Sequence, residues 1–94
     1  MHKTTDNQLI RRVHVVLRNA GFYRFANAEK RYKSRLVTEA GRGGQPGLVI
    51  VPYYKQALSI PDRAKRAQEV LAALKRAGIG ARIDSMNYVF VSFD

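Results

Sequence analysis

The chain is expected to form an α+β fold, a two-layer sandwich with two amphipathic helices on one face of a mostly antiparallel sheet of about four strands. Three features carry that expectation. Two stretches place apolar residues at helical spacing and each ends in glycine; one β-branched run is bounded by glycine and proline; and the C-terminal segment alternates with a period of two. With 94 residues the chain is one domain, 1–94, large enough to bury a core without disulfides.

The first helix runs from about Asp6 to Ala20. Thr5 and Gln8 form a capping-box pair ahead of it. Leu9, Ile10, Val13, Val16, Leu17 and Ala20 make one apolar stripe, with Asn7, Arg11, Arg12 and Arg18 outside it. Gly21 supplies the left-handed cap. His14 lies beside the stripe, at its boundary. Further on, "RLVTEA" pairs across the glycine-rich "GRGGQPG" with the strand at Leu48–Tyr53, giving a hairpin with a long tip. Whether "YRF" at 23–25 adds a strand is left open.

Ser59, Pro61 and Asp62 start the second helix, which buries Ala64, Ala67, Val70, Leu71, Leu74 and Ala77 and stops at Gly78. "LRNAGF" and "LKRAGI" match because both are helix ends of one geometric type, not because the chain is duplicated. The tail "ARIDSMNYVFVSFD" is a hairpin turning at Asp84–Asn87. Tyr88, Phe90 and Ser92 share one face of its last strand and Val89, Val91 and Phe93 the other. Both faces are largely apolar, which puts that strand inside the sheet.

Catalytic patterns are missing. There is no cysteine, so no thiolate metal site, disulfide or cysteine nucleophile. Neither His2 nor His14 has a second ligand at i+3 or i+4, and the carboxylates are scattered. "GRGGQPG" fails both phosphate-loop patterns and precedes a strand instead of following one. No enzyme activity, metal or cofactor is expected. The absence of cysteine, of an apolar leader and of a membrane-length run makes a soluble cytoplasmic protein the expectation.

Charge is the strongest signal. Seventeen Lys and Arg against seven Asp and Glu give a net +10 and an isoelectric point near 10.6. Between Arg11 and Arg42 nine cations face only Glu29 and Glu39, a net +7 in a third of the chain. Within it, "FYRFANAEKRYKSR" interleaves four rings with five cations. Cations neutralise phosphates and release counterions, while rings offer faces on which bases stack. Arg24, Arg31, Lys33, Arg35 and Arg42 are therefore the candidate phosphate contacts and Tyr23 and Tyr32 the candidate stacking rings. Arg63 and Arg66 extend the basic face, and Tyr53 and Tyr54 beside Lys55 form a second ring group.

Helix, three strands, then a helix opening on basic residues ("DRAKRAQEVLAAL") resembles the element order of double-stranded-RNA-binding domains. In that family cations at the second helix's start touch phosphates. The family's glycine-and-lysine run before that helix is absent, and the terminal hairpin is additional. The expected function is a small basic non-enzymatic protein that binds nucleic acid, DNA or RNA, or serves nucleic-acid machinery. The alternative is a protein-binding modulator of the kind phages and mobile elements encode, docking on an acidic protein surface. Under either, "YVFVSFD" would pair with a second copy to give a homodimer if it lay at a sheet edge.

Overall fold

The computed structural model describes residues 6–22, 32–39, 45–53 and 57–93. Along them run α1 (Asn7–Asn19), β1 (Lys33–Glu39), β2 (Gln45–Val51), α2 (Ile60–Arg76), β3 (Arg82–Ile83) and β4 (Val89–Ser92). The strands form one antiparallel sheet in the order β1-β2-β4-β3. The chain is thus α+β, and the C-terminal strand is internal, as its two apolar faces require. Residues 23–31 and the connection at 40–44 lie outside the described residues, so the "YRF" question does too. Among the described residues β1 and β2 lie between the two helices.

Helix starts follow local hydrogen-bond chemistry. Asp6, not Thr5, is the N-cap of α1: its Oδ1 accepts the Leu9 N–H at 3.0 Å. A carboxylate also complements the positive end of the helix dipole, which favours this choice over the hydroxyl one residue earlier. α2 starts as read, with Ser59 Oγ accepting the Asp62 N–H at 3.3 Å and Pro61 in the first turn. Both helices end in Schellman motifs. Phe22 N–H reaches Leu17 O at 2.9 Å and Gly21 N–H reaches Arg18 O at 3.0 Å; Ile79 to Leu74 and Gly78 to Lys75 repeat those distances. Gly21 (φ +87°) and Gly78 (φ +77°) take the left-handed position that a Cβ would strain. This shared geometry accounts for the likeness of "LRNAGF" and "LKRAGI".

The strands extend further into the glycine-rich segment than the sequence indicates, since Gln45, Pro46 and Gly47 already pair with Glu39, Thr38 and Val37. Leu48, Ile50, Val89 and Val91 share one face of the sheet and meet Val13 and Leu17 of α1 and Ala67, Val70 and Leu74 of α2 in a single buried cluster. The turn of the last hairpin falls where expected. Asp84 Oδ1 accepts the Met86 and Tyr88 N–H groups at 2.8 and 3.0 Å, and Asn87 takes a positive φ of 60°.

Candidate nucleic-acid interface

Strand register decides where the cations go. In a strand, successive side chains leave opposite faces, so Tyr32, Ser34 and Leu36 share the helix-packed face while Lys33, Arg35 and Val37 share the other. Across the sheet, Arg35 pairs with Val49, Val49 with Phe90, and Phe90 with Arg82. One row therefore reads Arg–Val–Phe–Arg on the face away from the helices. Its two arginines are exposed and stand three strand spacings apart, about 14 Å. The neighbouring row begins with Lys33 opposite Val51.

The middle of this face is not bare. Val49 and Phe90 are each 1% exposed. Part of the cover is visible: the Arg82 guanidinium lies over the Phe90 ring, 5.1 Å from its centroid, and the ring lies across Gly47. Held against the ring, the guanidinium keeps its charge available to an anion while giving up side-chain freedom in advance. A shallow groove of about 210 Å³ opens beside it, lined by Gln45, Gly80, Ala81, Arg82, Phe90 and Ser92.

At one end of the face Tyr53 and Tyr88 are half-buried, their rings tilted at 6.0 Å. Arg63, from the first turn of α2, places its guanidinium 4.8 Å from the Tyr53 ring centre and donates from Nε to Leu58 O at 3.0 Å. The Tyr53 hydroxyl donates to Met86 O at 3.2 Å. Burial, followed by the neighbouring Tyr88 hydroxyl, pushes the Tyr53 pKa above tyrosine's usual value; Arg63 pulls the other way and loses.

Of the residues singled out from sequence, Lys33 and Arg35 share this face and Arg63 stands at its end. Arg66 does not join them. It is half-buried on α2, 6.0 Å from the Phe22 ring centre and 3.9 Å from Glu69, an i,i+3 pair of small energetic weight. Tyr32 is a correction: at 3% exposure it belongs to the core and offers no ring to a ligand. Its hydroxyl is hydrogen-bonded to His14 Nδ1 at 2.7 Å, the two rings stack at 5.8 Å, and Ser34 Oγ lies 3.4 Å from His14 Nε2. The physical cause is the strand's period of two, which separates Tyr32 from the adjacent Lys33. Tyr23, Arg24, Arg31 and Arg42 lie outside the described residues, as do Tyr54 and Lys55.

The cations of the Arg11–Arg42 tract do not all gather on one surface. Arg11, Arg12 and Arg18 stand on α1, in the helical layer, and Arg12 donates to Ala77 O at 3.1 Å, satisfying a carbonyl at the end of α2. In exchange the face gains Arg82, which nothing in the basic tract points to. Its place depends on the pairing of β3 with β4 across the last hairpin. No cluster of His, Asp and Glu able to hold a metal occurs among the described residues, and no helix there is long and apolar enough to cross a membrane. No protein-family model, curated protein or solved structure matches this chain.

Proposed function

We propose that this protein is a small, basic, non-enzymatic nucleic-acid-binding or nucleic-acid-machinery accessory protein of the cytoplasm, using the sheet face away from its helices. The observation that carries the reading is the row that puts exposed Arg35 and Arg82 at its two ends, with Lys33 on the next row and the Tyr53–Arg63 pair at the end of the face. Cations spaced along one face can follow a phosphate backbone, and arginine forks suit phosphate oxygens. Catalysis has no part in it.

Fluorescence anisotropy with a labelled oligonucleotide tests the reading. With four phosphate contacts the slope of log K against log salt is about −3, so affinity falls roughly 60-fold between about 50 and 200 mM salt. A flat salt response removes the phosphate contacts and the proposal with them. A second reading rests on the exposed Ile60 (73%) and Met86 (60%) near Tyr53 and Arg63, a composition suited to docking on an acidic protein surface. A defined protein complex that survives nuclease treatment would favour that reading over the first.

A further inference from the structure

We infer that the ligand is single-stranded, and that the groove beside Arg82 seats one of its unpaired bases against the guanidinium. This rests on the nucleic-acid reading above and adds to it which form of nucleic acid is bound and where.

Three observations converge on the groove. Arg82 is exposed, and the Phe90 ring holds its guanidinium at the side of the groove, with Cζ 5.1 Å from the ring centre. A planar cation held in this way is a platform for a third planar group, and nucleobases stack on arginine planes as they do on rings. The space next to it, about 210 Å³, is of the order of one nucleotide and far too small for a duplex. Its lining includes Gln45, whose carboxamide is of the kind that donates to and accepts from base edges.

Geometry then separates the two forms of nucleic acid. In a duplex each base face is covered by its neighbours, so only the phosphates reach Arg82. In a single strand a base can turn out of the stack and lie on the guanidinium while the phosphates on either side stay accessible to other surface cations. The Phe90–Arg82 contact lowers the cost of binding, because the cation is ordered before the ligand arrives. Arg35, at the other end of the row, stands opposite Val49 and not a ring. It therefore serves as a phosphate contact without a stacking role.

The test compares four probes by anisotropy: a labelled single strand of about 12 nucleotides, the same strand with abasic sites, its duplex, and a free nucleoside monophosphate as competitor. The native protein is expected to bind the intact strand about tenfold more tightly than the abasic one. Arg82→Lys, which keeps the charge and loses the plane, is expected to abolish most of that difference, weakening the intact strand far more than the abasic strand or the duplex. Arg35→Lys is expected to preserve the difference. The monophosphate competes only weakly, since it lacks the flanking phosphates. Circular dichroism confirms that both variants fold.

Equal affinity for intact and abasic strands overturns the inference, as does an Arg82→Lys variant that keeps the full difference or weakens every probe alike. So does a monophosphate that competes as well as the strand. These outcomes leave the broader nucleic-acid reading standing if salt dependence persists. Salt-independent binding of every probe, or no binding, removes both.

Discussion

Adding one methyl group at Gly47 should disrupt the face on which the proposed interface stands. An ideal Cβ at this position falls 2.5 Å from both Cε2 and Cζ of Phe90 and 2.6 Å from the Val91 carbonyl oxygen. Ordinary carbon contacts lie at about 3.5–4.0 Å, so in Gly47→Ala the ring must move by about 1 Å or more. Rotation of Phe90 cannot relieve the Val91 contact, which involves backbone. Overpacking of this kind costs about 1–3 kcal/mol. The reduced freedom of the unfolded chain returns about 0.4–1 kcal/mol. The net loss is about 1–2 kcal/mol, or roughly 5–15 °C in Tm for a domain of this size. Thermal and urea unfolding followed by circular dichroism measure it. The double variant Gly47→Ala with Phe90→Leu should lose less than the sum of the single changes, because the shorter side chain vacates part of the space. A Gly47→Ala protein as stable as the native one, or two strictly additive losses, would refute the packing of Phe90 across Gly47.

Asp6→Ala should cost about 1 kcal/mol in urea unfolding by removing the α1 cap, whereas Thr5→Ala should cost far less; equal losses would return the cap to Thr5. Tyr32→Phe should destabilise by about 1 kcal/mol through loss of the His14 hydrogen bond and leave oligonucleotide affinity unchanged; unchanged stability with weakened binding would put the ring back on the surface. Tyr53, whose pKa is raised above about 10 in the fold, favours the neutral hydroxyl there. Its contribution is intact below about pH 10 and is lost as pH rises through the folded-state pKa. The urea midpoint should therefore fall with alkaline titration in the native protein and fall less in Tyr53→Phe.

Much of the fold is legible in the sequence because its signals are local. Ser59, Pro61 and Asp62 announce a helix start within four residues, and Gly21 and Gly78 mark ends whose hydrogen bonds span only five. The placement of β4 inside the sheet follows from the apolar character of both its faces. The candidate site is less legible, because it is assembled by register. A basic tract gives charge but not direction, and the single step from Tyr32 to Lys33, the first residue of β1, goes from the core to the opposite face. Arg82 joins Arg35 only through three successive strand pairings, none encoded near either residue. Arg12 and Arg66 read as free surface cations, yet one satisfies a carbonyl at the end of α2 and the other lies near Phe22 and Glu69. Composition alone does not separate such structural uses from ligand contacts.

Mapping backbone amide shifts by NMR during titration with an oligonucleotide tests most directly which surface meets the ligand. The largest changes should fall at Lys33, Arg35, Arg82 and Phe90, with little change at Gln68 and Ala72 on the outer side of α2. Shifts concentrated on α1 and α2, with the sheet residues unmoved, would contradict the assignment of this face.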